Sequence, residues 1–546
     1  MTFEHISREE IVELQQLSPF ELKSKLIELA DELEERSTFH MLNAGRGNPN
    51  FIATTPREAF FALGTFALEE SRADREWDHE LVGVPQKDGI ADRFRTWLAD
   101  RKGQPGIKLL LQTLGYGVDE CGFDADSFVW ELADSIIGDH YPEPDRMLKH
   151  NHEITKRYLM QELVPGKDLG DYDLFAVEGG TAAMCYIFDS LMLNRLMHRG
   201  DKVALMVPIF TPYLEITELD EFDFERVYIE ASATFEDGRH SWQFPDSEID
   251  KLLDPDIKIL YCVNPTNPPS VRIAPGTLER IADVVNNKRQ DLIVITDDVY
   301  GTFIDGFQSL MGAAPRNTIT VYSFSKYFGA TGWRLGTIGI AADNVLDEKL
   351  AALSEEDKVH LDKRYAPLTL TPRNIKFIDR LVADSRNVAL NHTAGLSLPQ
   401  QCQMLLFSAY CLLDKEDYYK HQAQALIARR YKALQRGMQI DIEPDPNRVA
   451  YYVELDFLVW AAERTADPKF IEFVEANYEP TDILFRLAEQ TGVVLLNGGG
   501  FEGPEWSVRV SLANLRDKQY EEIGAAMITV CEEYLAEYED SKGKKG

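Results

Sequence analysis

Five short stretches of this chain hold the residues best suited to chemistry: EGGT (178–181), PIFTPY (208–213), NPTNPP (264–269), DDVY (297–300) and SFSK (323–326), with Arg334 eight residues after the lysine. Each has an ordinary explanation when taken singly. EGGT reads as a turn with a helix cap, NPTNP as a rigid turn of turn-forming residues, DDVY as a solvated acid pair, and a lysine after a strand as a surface lysine. Their recurrence after successive apolar runs points instead to a shared ligand. Gly180 and Thr181 open a helix, and free N–H groups there, with Ser323 and Arg334, suit the oxygens of a phosphate. Phe210 offers a flat face for a ring. Asp297 can keep a ring nitrogen protonated by ion pairing, and Asn264 and Tyr300 can hydrogen-bond a ring oxygen. Lys326 can form an imine with an aldehyde. Together they describe a receptor for a phosphorylated, protonated aromatic ring held on an amine.

Such a set must be positioned by a sheet, because ligands of open parallel sheets bind beyond the carboxyl ends of the strands. The apolar runs predict seven strands: Phe175 to Val177, Lys202 to Val207, Arg226 to Ile229, Ile257 to Val263, Leu292 to Thr296, Ile319 to Tyr322 and Leu335 to Ile340. Their alternation with helical patterns is the signature of an α/β fold with helices on both faces. Between the first two strands, Ala183, Ile187 and Leu191 form one line at four-residue spacing and Met184, Phe188 and Met192 the next, which predicts a helix buried over a wide arc. Residues 1–40 read as two amphipathic helices. VAYYVELDFLV and WSVRVSLA read as strands of a second, smaller α+β unit. The expected division is 1–60 and 396–546 in a small domain and 61–395 in a large one. Acidic or irregular insertions are expected near 78–135 and 342–392, and the SKGKKG tail reads as a frayed terminus.

The 546 residues suffice for two packed lobes. Fifty-seven lysines and arginines face 91 acids, a net charge of −34, which argues against nucleic acid and anionic membranes as partners. Six cysteines (Cys121, Cys185, Cys262, Cys402, Cys411, Cys531) lack CxxC or metal-finger spacing, so no metal site is expected and a reducing cytoplasm fits. MTFEHISREEIVELQQ has no apolar signal core, and no apolar run has the ~18 residues that span a bilayer.

The order of the motifs resembles that of the pyridoxal-phosphate enzymes of fold type I, the aspartate aminotransferase-like superfamily. In that superfamily an asparagine-proline segment, D-x-x-Y, and S-x-S-K with an arginine eight residues on follow one another, as NPTNP, Asp297-Asp298-Val299-Tyr300 and SFSKYFGATGWR do here. The resemblance covers essentially the whole chain. It implies pyridoxal 5'-phosphate as cofactor and a large domain built on a seven-stranded, mainly parallel sheet. LNAGRGNPN resembles the family's glycine segment, which places Arg46 and Gly47 at the substrate site, with Asn264 beside them. HYPEPD puts Tyr141 where a tyrosine reaches the phosphate of the neighbouring subunit. GVVLLNGGGFEGPEWSVRVSLA resembles the C-terminal segment, so Arg509 matches the arginine that grips the α-carboxylate by a bidentate pair.

Length, the two inserts and GRGNPN most closely resemble the bacterial members that remove the β-carboxylate of aspartate. That resemblance implies conversion of L-aspartate to L-alanine and CO2, slower transamination with 2-oxo acids such as 2-oxoglutarate, a homodimer as minimal active unit, and assembly into a dodecamer. Lys326 is expected to remove the α-proton. The two activities share their early steps, so the partition is expected to depend on how the β-carboxylate is held, with Arg46 as the candidate contact. One alternative is an ordinary aspartate or aromatic aminotransferase with decorative insertions. Another, a ligand-sensing regulator without turnover, needs a basic DNA-binding segment, whereas the first 40 residues carry many acids.

Overall fold

The computed structural model describes residues 6–36, 40–73, 81–141, 146–236, 238–388, 395–442 and 444–543. Parts of both insertions (78–80 and 389–392), residues 142–145 of the HYPEPD segment and the last three residues of the tail lie outside them.

All seven expected strands form one sheet: β1 (Tyr172–Val177), β2 (Lys202–Val207), β3 (Glu225–Glu230), β4 (Ile257–Val263), β5 (Ile293–Asp297), β6 (Thr318–Ser323) and β7 (Gly336–Ala341). Their order is β1-β7-β6-β5-β4-β2-β3. All neighbours are parallel except at β7, which runs against both β1 and β6. Ile257, Ile259, Leu260, Tyr261 and Cys262 are fully buried on β4, as expected of a strand covered on both faces, and this explains why its sequence is apolar without alternation. The reversed strand matters for the site. Gly336, at the start of β7, lies in register between Val177 and Ser323. The segment leading into β7, which carries Arg334, therefore sits at the same end of the sheet as the carboxyl ends of β1 and β6.

The helix Gly180–Leu193 buries Ala183, Met184, Ile187, Phe188 and Leu191, while Thr181, Cys185 and Asp189 hold its exposed line. The stretch read as irregular near 78–135 is helical over much of its length: Ile90–Asp100, Ile107–Asp119 and Ala125–Ile137. Buried residues recur on each at helical spacing, such as Phe94, Trp97 and Leu98, and Phe128, Val129 and Leu132. Acidic residues between them masked that period. Ile107–Asp119 and Ala125–Ile137 pack on Thr54–Ala73 and Leu398–Leu413, and Ile90–Asp100 packs on those two. The second stretch likewise contains helices, Val345–Ala352, Glu355–Tyr365 and Phe377–Ser385.

The N-terminal helices are Arg8–Leu14 and Pro19–Arg36, the first closed by a Ser7/Glu10 capping box. Pro19–Arg36 packs on Asp482–Thr491, and Leu42–Asn43 pairs in parallel with Val493–Val494. A three-stranded antiparallel sheet, ordered Leu496–Asn497, Ser507–Ser511, Tyr452–Asp456, lies beside them. The long helices Tyr418–Met438 and Asp517–Gly543 pack together, the latter taking in the first residues of the tail. No described helix is long and apolar enough to cross a membrane.

Candidate active site

Eight of the residues singled out from sequence meet around one cavity of about 170 Å3: Gly180, Thr181, Phe210, Asp297, Tyr300, Ser323, Lys326 and Arg334. At one end the helix Gly180–Leu193 begins without a side-chain cap, so its first N–H groups are free for an anion. Arg334 covers this end. A carbon added to Gly179 would stand 2.7 Å from Arg334 Nη2, and Gly179 has φ 98°. Both facts call for glycine. Ser323 Oγ donates to Ser325 Oγ at 2.9 Å, adding two hydroxyls to the same end. Uncapped helix N–H groups, a guanidinium and two serines suit a phosphate dianion.

At the base of the cavity Asp297 accepts a 2.6 Å bond from Tyr213 Oη and a 3.1 Å bond from Val299 N–H. Burial pushes its carboxyl up to about 6, although Tyr213, Val299 and Lys326 all pull the other way. A protonated ring nitrogen placed here offsets that burial cost and favours the carboxylate. Phe210 stands edge-on to Tyr213, ring centres 5.2 Å apart. Lys326, half-buried, donates to Gly47 O at 3.2 Å, and its charge lowers the phenol of nearby Tyr452. Anion cradle, buried carboxylate, aromatic wall and amine together fit pyridoxal 5'-phosphate.

Arg509 is 1% exposed. Its Nη1 donates to Asn267 Oδ1 at 3.3 Å and its Nη2 to Gly45 O at 3.0 Å, while its buried Nε has no protein partner. The guanidinium lies 4.3 Å over the Tyr452 ring and 5.0 Å over Phe501. A buried cation with a donor to spare, packed beside a residue that lines the cavity, is equipped to take a substrate carboxylate.

Three expectations need correction or qualification. Asn264 does not line the cavity: it is fully buried, and its Oδ1 accepts from Ile273 N–H at 3.0 Å, bracing the turn. The asparagine that faces the cavity and touches Arg509 is Asn267. NPTNP contains two Asn-Pro pairs, and the turn that follows β4 after Val263 carries the second to the cavity. Arg46 is exposed and does not line the cavity; its neighbours Gly45 and Gly47 contribute carbonyls instead. Tyr141 is 68% exposed and lies away from the cavity of its own chain.

Tyr213, Ser325 and Tyr452 also line the cavity and were not singled out. Ser325 and Tyr213 lie inside motifs already noticed. Tyr452 carried no chemical signal: it lies within VAYYVELDFLV, read only as a strand, and reaches the site by tertiary folding. Lys23 is another cation near Arg509. Burial lowers it, and so does the nearness of Arg46 and Arg509. Its helix also sets Phe20 edge-on to Phe210 at 5.8 Å and Phe501 at 6.2 Å. A larger cavity of about 580 Å3, between Trp242, Tyr431 and Trp460, contains none of the expected residues.

The family model for aminotransferase class I and II matches residues 177–527. A bifunctional aspartate aminotransferase and L-aspartate beta-decarboxylase from a Pseudomonas species is 49% identical over 96% of this chain and 98% of its own length. An aspartate aminotransferase of Pyrococcus abyssi is 33% identical over 43% of this chain and 58% of that relative. Among solved structures, a Pyrococcus protein covers 96% of this chain and 99% of its own with TM-score 0.58 at 18% identity. An aspartate aminotransferase double mutant of Thermus thermophilus covers 93% and 96% with TM-score 0.57 at 15% identity. These structures establish the aspartate aminotransferase-like fold. By the family match and the full-length relative, the chain belongs to the class I and II aminotransferases, enzymes that work with pyridoxal 5'-phosphate.

Proposed function

We propose that this enzyme removes the β-carboxylate of L-aspartate, giving L-alanine and CO2, and transaminates aspartate with 2-oxo acids such as 2-oxoglutarate as a second activity. The observation that carries the reading is the extent of the likeness. The relative that bears both activities in its name matches 96% of the chain, insertion helices included, whereas aspartate aminotransferases at 23–33% identity match 27–45%.

Pyridoxal phosphate, when bound, supplies an aldehyde for the substrate amine and a sink for electrons. Gly180, Thr181, Ser323, Ser325 and Arg334 would hold its phosphate, Phe210 its ring face, Asp297 its ring nitrogen and Tyr300 its ring oxygen. Arg509, backed by Asn267, holds the α-carboxylate of aspartate by a two-pronged charge-assisted contact. Lys326 Nζ takes the α-proton and returns it, and its bond to Gly47 O fixes where that nitrogen stands. Tyr213 steadies Asp297 from behind. The β-carboxylate is best left with few fixed charges, because a tight ion pair stabilises it against leaving as CO2. The exposed position of Arg46 suits that requirement.

The reading extends to a homodimer as minimal active unit, with Tyr141 of each subunit serving its neighbour's phosphate, and to a dodecamer built from such dimers. Phe61 and Leu68, exposed one heptad apart on the helix Thr54–Ala73, supply apolar surface for such assembly. A reducing cytoplasm suits six cysteines, all of them free. The deciding experiment gives the loaded enzyme aspartate alone, without any 2-oxo acid. Sustained release of CO2 with an equal amount of alanine supports the proposal. A halt after one half-reaction, with no CO2, leaves an ordinary aminotransferase.

A further inference from the structure

β-Decarboxylation makes a demand that transamination does not. Transamination moves one proton between positions that a single lysine can serve. Loss of CO2 leaves an electron pair on the β-carbon, one atom farther from that lysine, and this carbon must take a proton before alanine can leave. The need for a second proton donor therefore rests on the decarboxylase reading.

Asp297 is committed to the ring nitrogen as a carboxylate; among the other described residues lining the cavity, the candidate donors besides Lys326 are the hydroxyls of Thr181, Ser323, Ser325 and Thr331 and the phenols of Tyr213, Tyr300 and Tyr452. Aliphatic hydroxyls are weak acids, and the two serines sit at the anion end. Tyr213 donates to Asp297 and Tyr300 to Tyr452, at 2.6 and 3.3 Å. Burial pushes both of those phenols well above the ordinary range. Tyr452 differs because of its neighbours. Burial raises it as well, yet Lys326 and Arg509 outweigh that effect, with help from the Tyr300 hydroxyl, and hold it below the ordinary phenol value. The charged and titratable groups facing it are Lys326, Arg509, Tyr300 and Tyr451. It is 2% exposed. Its hydroxyl and Lys326 Nζ flank the same point above Gly47, between the lysine and the carboxylate-binding arginine.

We propose that Tyr452 is the acid that protonates the β-carbon after CO2 has left. The electron pair left by the broken carbon–carbon bond takes the phenolic proton and becomes a C–H bond, while the O–H pair stays on Tyr452 as phenolate. Lys326 and Arg509 stabilise that phenolate. The neighbouring Lys326 ammonium returns a proton to it, and solvent restores Lys326. An aminotransferase has no such second carbon to serve, so this residue bears on the partition between the two activities.

Two readouts test the assignment. In the apoprotein, ultraviolet absorbance of tyrosinate followed against pH should show one phenol ionising below the usual value of about 10. That step should vanish in Tyr452→Phe and move up in Lys326→Ala. In the loaded enzyme given aspartate and 2-oxoglutarate, the ratio of alanine to glutamate formed should fall about 10²-fold in Tyr452→Phe. An unchanged ratio overturns the proposal, as does an early phenol step that survives the substitution. If Tyr452→Phe does not fold or load, Tyr300→Phe tests the same point, because it removes a hydrogen bond to the Tyr452 oxygen. The phenol step and the pH at which the ratio declines should then rise together, and a profile that stays in place refutes the assignment. Failure of the decarboxylase reading is distinguishable, since it shows in the unsubstituted enzyme as an absence of CO2.

Discussion

Adding one methyl group at Gly47 should damage this enzyme more than its size suggests. Gly47 has no left-handed φ, so alanine is permitted there by the backbone and the effect is one of contact alone. The new carbon would overlap Tyr452 Oη, stand 3.1 Å from Lys326 Nζ and lie 3.5 Å from Tyr452 Cζ. Carbon contacts are ordinary from about 3.5 Å, so the hydroxyl must retreat by roughly 1 Å. It has nowhere to go: Tyr452 is buried beneath the Arg509 guanidinium and bonded to Tyr300. Overpacking of this kind costs about 1–3 kcal/mol of stability. A misplacement of about 1 Å at reacting groups costs about 10²-fold in rate. Gly47→Ala should therefore lower kcat/KM for aspartate by about two orders of magnitude, with a modest fall in the urea midpoint. Gly276→Ala is the control, because nothing lies within 4 Å of a carbon added there. Activity of Gly47→Ala within threefold of the parent would refute this account of the pocket.

Asn267→Ala should cut kcat/KM at least tenfold with little loss of stability, by withdrawing the side-chain partner of Arg509; Asn264→Ala should cost about 1–3 kcal/mol of stability by stranding the Ile273 N–H, and steady-state rates beside urea melts separate the two. Burial raises the Asp297 carboxyl to about 6 from about 4 in the unfolded chain. Stability tied to its neutral form is complete below about pH 4 and lost as pH rises through about 6. Apoprotein carrying Asp297→Asn should gain on the parent by up to about 3 kcal/mol between pH 5 and 8, as measured by urea midpoints, and a pH-independent difference would contradict this. If Tyr141 serves the neighbouring subunit, mixing inactive Lys326→Ala with a weakened Tyr141→Ala and refolding them together should restore about a quarter of parental activity, because hybrid dimers regain one intact site. Activity that stays at the sum of the separate variants would place Tyr141 elsewhere.

Much of this site could be read before folding was known because its chemistry is concentrated at strand ends. Local runs such as Ile257–Val263 have too many apolar residues to be anything but buried, and the residues just after each run must lie at the sheet's edge. That reasoning located Lys326, Asp297, Tyr300 and Gly180 without any knowledge of distance, and Arg334 was singled out by its spacing from the lysine. It failed where two candidates shared one motif. Asn264 and Asn267 are both asparagines before proline, and only the path of the turn decides which side chain enters the cavity. It failed again for the insertion helices, whose apolar period is interrupted by surface acids.

What the sequence determined alone was the strand framework, the residue types at its carboxyl edge and so the kind of ligand they can hold, since strand formation and burial follow from local pattern. What only the tertiary structure decided was how segments far apart in the chain converge. The reversed β7 brings Arg334 to the helix start at Gly180. The pairing of Ser507–Ser511 with Tyr452–Asp456 sets Arg509 beside Tyr452. The fold of the N-terminal segment lays Gly47 O on Lys326. These contacts depend on long-range packing, in which a side chain's neighbours, and with them its charge and acidity, are supplied by parts of the chain that carry no mark of the site they complete.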